Sequence, residues 1–151
     1  MERTPTATIS MRGCMIAPGR NPLLNPRPRV LIVDDNDSGR RALSRILEHE
    51  GFDVVSAANG REALEALRTS PAPQFVLTDL RLPDLDGLEL AYYARRLEPP
   101  PWIALITGYA PEGDAQDHQR WGLDFVFTKP LDLASLVGRM RLVLGITAAA
   151  I

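Results

Sequence analysis

Five chemically useful side chains follow apolar runs in this 151-residue chain. Asp34 and Asp35 follow the first run, Asp79 the third, Thr107 the fourth and Lys129 the fifth. Lys129 is the only lysine, since the other sixteen of the seventeen basic residues are arginines. A single Asp after a strand is ordinarily a turn former or a helix N-cap. That explanation does not account for the whole set of three carboxylates, one hydroxyl and one ammonium.

The three carboxylates would repel one another if the fold brought their side chains together. Such repulsion raises the pKa of at least one carboxyl group unless a cation compensates. Mg²⁺ is the natural candidate, because it binds one or two carboxylates together with a carbonyl oxygen and waters. We therefore predict a Mg²⁺ site formed by Asp34, Asp35 and Asp79.

A site with these groups is suited to a phosphoryl group. The metal and the Lys129 ammonium neutralise phosphoryl oxygens, and the Thr107 hydroxyl donates a hydrogen bond to one of them. A carboxylate can attack phosphorus to give an acyl phosphate. A compact ammonium on a flexible stem suits a single phosphoryl group better than a wide planar guanidinium, which explains one lysine among many arginines.

Five strand-length apolar runs alternate with helical stretches in the part of the chain that carries these residues. The predicted strands are centred on residues 30–33, 54–55, 75–77, 102–106 and 125–127. Continuous apolar runs are typical of parallel strands that are covered on both faces. The alternation predicts a doubly wound α/β sheet with right-handed crossovers. Such sheets bind their ligands at the carboxyl ends of the strands, where the five side chains fall.

Five helices are predicted between and after the strands. They cover residues 43–50, ending at Gly51; a stretch from Arg61, with Asn59 or Gly60 at its start; residues 88–97, after Asp86-Gly87; residues 112–120; and residues 133–144, with Asp132 near the N-cap. The fourth has almost no apolar stripe, whereas the fifth has the clearest helical periodicity.

The chain divides into one domain and two short ends. Residues 1–28 contain five prolines and little periodicity, so we expect a disordered arm. Residues 29–145 form the predicted domain, and residues 146–151 a short C-terminal tail. This length is sufficient for one ordinary hydrophobic core.

Charge and composition exclude several classes of protein. Residues 1–29 carry five Arg and one Glu, whereas the remainder carries twelve cations and eighteen anions, so the body is acidic. An acidic body argues against direct nucleic-acid binding. No stretch reaches the length of a membrane-spanning helix, and no membrane partner is expected. The single cysteine, Cys14, cannot form an internal disulfide, which fits a cytoplasmic location.

Four stretches of the sequence together resemble the receiver domain of two-component response regulators. They are VLIVDDND (30–37), LTDLRLPDLDG (77–87), ITGYA (106–110) and FTKPL (127–131). The match spans residues 29 to about 145 in the order and spacing of that family. The resemblance implies a flavodoxin-like fold with strand order 2-1-3-4-5 and five flanking helices.

The resemblance also implies a role for each acidic residue of the site and for the backbone of Arg81. Asp79 corresponds to the phospho-acceptor, and Asp35 to the direct Mg²⁺ ligand. Asp34 acts on the ion mainly through water. Arg81 occupies the position whose backbone carbonyl completes the metal shell.

Two further positions correspond to the residues that contact the phosphoryl group. Thr107 resembles the hydroxyl that turns toward the phosphoryl group, and Lys129 resembles the lysine that pairs with it. The Lys129–Pro130 bond resembles the cis peptide of the family. Cis bonds before proline are otherwise uncommon.

One position departs from the family pattern. The family usually has a glycine seven residues before its lysine, and Gly122 corresponds to it here. In this alignment, Val126 occupies the position where the family has an aromatic residue that takes part in switching. In a strand, Phe125 and Phe127 would point to the opposite side from Val126. The coupled rotation of threonine and aromatic residue is therefore in question for this chain, although phosphorylation is not. We also expect the Arg81 side chain to hang over the site and slow dephosphorylation.

As a whole, the sequence predicts a stand-alone, phosphorylation-controlled switch. The phosphoryl donor would be a histidine kinase or a histidine phosphotransfer protein. Output would pass to a downstream protein through the face formed by the fourth and fifth strands with the fourth and fifth predicted helices; a homodimer is compatible with this prediction. The chain would not be an enzyme, beyond phosphorylation and dephosphorylation of its own Asp79.

Two other classes of function remain open from the sequence. One is a receiver-like binding module that never carries phosphate, for which Val126 is the argument. The other is an aspartyl-phosphate phosphatase of the haloacid dehalogenase type, a family that carries a DxD motif after its first strand. Here Asp79 lies after the third predicted strand and is followed by Leu80-Arg81, so that fit is poor.

Overall fold

The computed structural model describes residues 27–108 and 121–146. Most of the predicted N-terminal arm, the predicted helix over residues 112–120 and the tail from residue 147 onward lie outside the described residues. Within the described part, no helix is long and apolar enough to cross a membrane.

Five parallel strands form one sheet. Their bounds are Arg29–Val33 (β1), Asp53–Ala57 (β2), Phe75–Asp79 (β3), Trp102–Thr107 (β4) and Phe125–Thr128 (β5). The strand order is β2-β1-β3-β4-β5, and every neighbouring pair is parallel. The predicted fold class and strand order are therefore confirmed.

Four helices flank the sheet in the described part of the chain. They are Asp37–His49 (α1), Gly60–Leu67 (α2), Gly87–Ala94 (α3) and Leu133–Leu144 (α4). Each has an Asn or Asp at its N-cap whose side chain accepts a backbone N–H of the first turn: Asn36, Asn59, Asp86 and Asp132. Such caps satisfy helix donors that would otherwise be unpaired. Gly51 follows the last turn of α1 with φ +106°, as predicted for its C-terminus.

Two predicted helix bounds differ from the structure. The apolar pattern of residues 43–50 missed the polar first turns of α1, which begins at Asp37. The prediction extended the third helix to Leu97, whereas α3 ends at Ala94. The N–H groups of Arg96 and Leu97 bond to carbonyls three residues earlier, at 3.1 Å each, which is a tightened turn rather than an α-helix. The proline run that begins at Pro99 then prevents the helix from resuming.

The core consists of two apolar layers, one on each face of the sheet. On one face, α1 and α4 pack through residues that include Leu47, Leu136 and Met140. On the other face, α2 and α3 pack through residues that include Ala63 and Leu90. All five of these side chains are fully buried. Burial of this kind stabilises a fold by about 25 cal/mol per Å² of apolar surface, so the two layers hold the strand ends in fixed register.

Candidate functional site at the carboxyl ends of the strands

The parallel register brings three carboxylates to one edge of the sheet. Val33 of β1 is paired with Thr78 of β3, so the residues that follow them, Asp34 and Asp79, lie side by side. Carboxylate oxygens of Asp34, Asp35 and Asp79 all lie within 4.8 Å of one another. Asp79 is 9% exposed, Asp34 is half-buried and Asp35 is exposed. The convergence that the sequence predicted is therefore present.

Asp79 has an unusually high proton affinity in this arrangement. Burial raises the pKa of Asp79 from its ordinary value, and the hydrogen-bonding contact and negative charge of Asp34 raise it further, to about 7. The ammonium of Lys129 opposes these effects but does not cancel them. Lys129 alone therefore does not supply enough positive charge to keep the Asp79 carboxyl group fully ionised at neutral pH. A hard divalent cation with oxygen ligands fits this donor set.

Lys129 reaches the same carboxyl group from the other side. Its Nζ lies 3.1 Å from Oδ1 of Asp79, and its side chain remains 50% exposed. The Lys129 backbone N–H donates to the Thr107 carbonyl over 2.9 Å, which ties the loop after β5 to the end of β4. The Lys129–Pro130 bond is cis, as the resemblance implied. The ammonium is therefore close to Asp79 while its outer side is open to solvent.

Thr107 and Arg81 complete the predicted set. Asp79 is paired with Ile106, so buried Thr107 follows one step beyond it on the neighbouring strand. Arg81 is exposed, and its backbone forms a bridge to Asp86 within the loop that follows β3. All six predicted site residues therefore lie on β1, β3, β4 or β5 or directly after them, at the carboxyl ends.

Gly87 supports Asp79 in a way that the sequence analysis did not identify. A Cβ atom at Gly87 would lie 2.4 Å from the Asp79 carbonyl oxygen and 2.9 Å from a Leu105 methyl group. The Gly87 N–H also donates to the Leu80 carbonyl over 2.6 Å. The start of α3 therefore packs directly on the backbone of Asp79, which only glycine permits. In the sequence, the Asp86-Gly87 pair indicates only the start of a helix, and the close approach to Asp79 is visible only in the folded chain.

Asp84 fixes the loop after β3 to another helix. Its two carboxylate oxygens accept the N–H groups of Gly60 and Arg61 over 2.8 and 2.9 Å, at the start of α2. The bond from Gly60 is the main reason that the pKa of Asp84 lies below its usual value. Asp86 closes the other end of the loop, since it forms a capping box with Glu89. The loop that carries Arg81 is thus held at both ends.

The side chains of β5 alternate as predicted. Val126 is partly buried and packs on the α2/α3 face of the sheet. Phe125 and Phe127 pack on the opposite face, and the Phe125 ring stacks on Phe75 with 6.0 Å between centroids. Neither phenylalanine occupies the face of Val126, so position 126 itself presents an aliphatic side chain to the α2/α3 face.

Comparisons with known proteins agree with this geometry. The family described as "Response regulator receiver domain" matches residues 30–141. The response regulator receiver protein CpdR of Brucella abortus is 35% identical over 118 residues, covering 75% of this chain and 93% of CpdR. For several other curated relatives, which are longer regulatory proteins, this chain spans half of their length or less.

Two solved structures show the same fold with a ligand or a partner. The response regulator TrrA of Thermotoga maritima, in complex with Mg²⁺-BeF, has a TM-score of 0.66 and 30% identity, covering 76% of this chain and 97% of TrrA. The receiver domain of Ssk1 from Saccharomyces cerevisiae, co-crystallised with the histidine phosphotransfer protein Ypd1, has a TM-score of 0.67 and 26% identity. The alignment with the Ssk1 receiver domain covers 76% of this chain and 87% of the Ssk1 chain.

The matched region contains all of the predicted site residues and all five strands but the first residue of β1. Receiver domains are typically signalling modules rather than enzymes, and they bind Mg²⁺ at their acidic site. On the family match and the close relatives, this chain belongs to the response regulator receiver domain family.

Proposed function

We propose that this chain accepts a phosphoryl group on Asp79 from a phosphohistidine donor and transmits its phosphorylation state by protein–protein contact. One observation carries the proposal. The Asp79 carboxyl group lies between the Asp34–Asp35 pair and the Lys129 ammonium, at 3.1 Å from the latter. A buried carboxylate with acidic neighbours on one side and a cation on the other is suited to attack on phosphorus.

In the transfer step, a carboxylate oxygen of Asp79 forms a bond to phosphorus. The bond from phosphorus to the donor histidine nitrogen breaks, and its electron pair stays on the imidazole. Lys129 is placed to pair with a phosphoryl oxygen, and its exposed outer side leaves room for this. Thr107, buried at the end of β4, directly follows the residue that is paired with Asp79, and its hydroxyl would donate to a phosphoryl oxygen. These groups stabilise the charge on the transferring phosphoryl group.

The carboxylates also specify the cofactor. Asp34, Asp35 and Asp79 would hold Mg²⁺ together with the backbone carbonyl of Arg81. Bound there, Mg²⁺ would neutralise the carboxylates and the phosphoryl oxygens. The raised pKa of Asp79 supports this assignment, because a cation favours the ionised form that the attack requires. The Mg²⁺-BeF complex of TrrA provides independent support.

The surface beside Asp79 is suited to the donor. A cavity of about 390 Å³ opens next to Asp79 and Lys129, between α1 and the loop after β5. Its apolar lining residues include Ala42, Leu43 and Ile46 from α1 and Pro130, Leu131 and Leu133 from the other side. An apolar groove that adjoins the acceptor can hold a donor helix and exclude water from the transfer. The Ypd1 complex of the Ssk1 receiver domain supports a histidine phosphotransfer protein as donor.

Output would pass through the surface that includes β5 and α4. A second copy of the chain is one occupant that this surface allows. The predicted fourth helix would belong to the same surface, but it lies outside the described residues.

Phosphorylation can be tested with acetyl phosphate and Mg²⁺, followed by intact-mass spectrometry. We expect a gain of one phosphoryl group that is lost in Asp79→Asn and retained in Asp53→Asn, which changes an exposed aspartate on β2. The same assay with candidate histidine kinases and phosphotransfer proteins then identifies the physiological donor. No mass gain with any donor would contradict the proposal.

Val126 supports a second candidate function, a binding module that never carries phosphate. Val126 presents an aliphatic side chain to the α2/α3 face, at the position that the resemblance assigns to the aromatic switch. The mass assay separates the two functions, because a binding module would retain its partner in both Asp79→Asn and the unaltered chain, with no phosphoryl group on either.

A further inference from the structure

Arg40 holds the backbone from which the acidic pair projects. Its Nη1 donates to the Asp34 carbonyl oxygen over 2.7 Å, and its Nη2 donates to Oδ1 of Asp37 over 2.6 Å. The Arg40 side chain is only 13% exposed, although it carries a full charge. Its planar fork therefore bridges the end of β1 and the first turn of α1.

The Asp34 carbonyl is a sensitive point in the site. It belongs to the rigid peptide unit that joins Asp34 to Asp35, so its direction fixes the orientation of that plane. The Cα–Cβ bonds of both aspartates leave from the two ends of this unit. Two more contacts fix the same segment: the Asn36 N–H donates to Oδ1 of Asp34 over 2.9 Å, and the Asp34 N–H donates to the Ala57 carbonyl over 3.1 Å.

Asp37 holds the Arg40 guanidinium in place. The two residues are one turn apart on α1, where residues three apart are neighbours. Asp37 is largely exposed, and the hydrogen bond from Arg40 is the main reason that its pKa lies below the usual value. One nitrogen of the fork is thus occupied by Asp37, while the other is directed at the Asp34 carbonyl.

We propose that Arg40 is a positioning residue for the acidic site: by holding the Asp34 carbonyl, it orients the Asp34 and Asp35 carboxylates for a divalent cation. This inference rests on the proposed function, in which that cation is Mg²⁺. The Arg40 guanidinium donates to the Asp34 carbonyl and to the Asp37 carboxylate, so it acts on the site through the peptide plane between the two aspartates.

The charge of Arg40 and its geometry predict opposite effects on metal binding. As a charge alone, Arg40 disfavours a divalent cation nearby, so its removal would tighten Mg²⁺ binding. As a positioning residue, it keeps the carboxylates in the binding orientation, so its removal would weaken Mg²⁺ binding. Lysine keeps the charge but has no planar fork that reaches both acceptors. The sign of the change therefore identifies the role.

The test compares Arg40→Met and Arg40→Lys with Arg41→Met, which removes an exposed cation from the next position of α1. Mg²⁺ dissociation constants are measured by isothermal titration calorimetry on the full chain. Loss of a residue that orients metal ligands typically weakens affinity by about tenfold or more. We expect about that loss in both Arg40 variants, and unchanged or slightly tighter binding in Arg41→Met.

A second readout needs no metal. The Asn36 amide donates to the Asp34 carboxylate, so its hydrogen exchange reports whether that segment keeps its conformation. In EDTA we expect faster exchange at Asn36 in Arg40→Met, with exchange of the buried β3 amides unchanged. Urea unfolding of each variant shows whether the whole domain has been destabilised instead.

Three results overturn the inference. The first is equal or tighter Mg²⁺ binding in Arg40→Met with unchanged Asn36 exchange. The second is unchanged binding in Arg40→Lys. The third is a loss of affinity that is fully accounted for by global unfolding. Failure of the proposed function is distinguishable, because the unaltered chain would then neither bind Mg²⁺ nor gain a phosphoryl group on Asp79, which overturns both.

Discussion

The candidate site at the carboxyl ends of the strands has two halves, one at β1 and β3 and one at β4 and β5, and they differ in how they are built. The acidic half, at β1 and β3, contains Asp34, Asp35 and Asp79. Three contacts hold its backbone: the Asn36 N–H on the Asp34 carboxylate, the Asp84 carboxylate on the start of α2, and the close packing of Gly87 on Asp79. The β4–β5 half contains Thr107, Lys129 and Val126, and the lysine side chain is half exposed. Under the proposed function, the two halves together supply the groups that take part in phosphoryl transfer, and only the β4–β5 half departs from the family pattern, at Val126. We therefore expect that accepting a phosphoryl group and transmitting its presence can be separated by substitution in this chain.

The largest expected effect is removal of the Lys129 ammonium, which the β4–β5 half supplies to Asp79. Lys129→Met should slow phosphorylation by acetyl phosphate about a hundredfold, because a single charge-stabilising group in such a site contributes that much. Lys129→Arg should retain part of the rate, since the charge remains but the planar fork fits one phosphoryl group poorly. Timed intact-mass spectra give both rates. A rate for Lys129→Met within threefold of the unaltered chain would show that the acidic half suffices alone.

The second effect is a pH dependence of stability that comes from the acidic half. Asp79 has a pKa of about 7 in the folded chain and 3.8 as the reference for the unfolded chain. The folded state therefore binds more protons between these values, and the free energy of unfolding contributed by Asp79 falls as pH rises from 3.8 to about 7. Since one pKa unit corresponds to about 1.4 kcal/mol, the loss should be a few kcal/mol.

Urea unfolding in EDTA between these pH values measures this loss. The difference in stability between the unaltered chain and Asp79→Asn isolates the carboxyl group, because the amide does not titrate. Saturating Mg²⁺ should reduce the loss, because metal binding favours the ionised carboxylates. A parallel pH dependence in the two proteins would mean that Asp79 titrates normally and that its neighbours exert no net effect.

The third effect tests the packing of the acidic half. Gly87→Ala forces a Cβ atom to within 2.4 Å of the Asp79 carbonyl oxygen, so either the strand end or α3 must shift. Overpacking of this kind costs about 1–3 kcal/mol, and we expect slower phosphorylation as well. Gly138→Ala is the matched control, because a Cβ atom there meets nothing within 4 Å on α4. That variant should be stabilised by about 0.5–1 kcal/mol through helix propensity.

The same comparison explains what the sequence could and could not predict. The ends of the strands and the residues that follow them could be predicted, because apolar runs and carboxylates are local features of the sequence. The register of β1 and β3 then brings Asp34 beside Asp79. The contacts of Gly87 and Arg40 could not be read, because they depend on distances between the backbone of one element and a residue of another. The end of α3 was wrong by three residues because tightened turns preserve an apolar pattern beyond the last α-helical bond.

A smaller effect concerns the lifetime of the phosphoryl group. Arg81 is exposed in the loop directly after Asp79, where its side chain can obstruct the approach of a hydrolytic water. Arg81→Asn should therefore shorten the half-life of the phosphorylated chain several-fold, measured by mass after removal of the donor. Arg68→Asn, an exposed change after α2, should leave the half-life unchanged. Equal half-lives for Arg81→Asn and the unaltered chain would exclude this role.

The smallest expected effect on phosphorylation is at Val126, and it tests the comparison most directly. Val126 packs on the α2/α3 face and Lys129 lies three residues later, so Val126→Tyr changes the strand without removing any group that contacts Asp79. We expect its phosphorylation rate to stay within about twofold of the unaltered chain, since partly buried sites tolerate added volume better than cores. Beryllofluoride, added as a phosphoryl analogue, should then shift backbone amide signals of β5 more in Val126→Tyr than in the unaltered chain, because only the variant has an aromatic ring that can change position there. Equal shifts along β5 in both proteins would mean that the valine already transmits the phosphoryl signal and that the two halves are coupled without an aromatic residue.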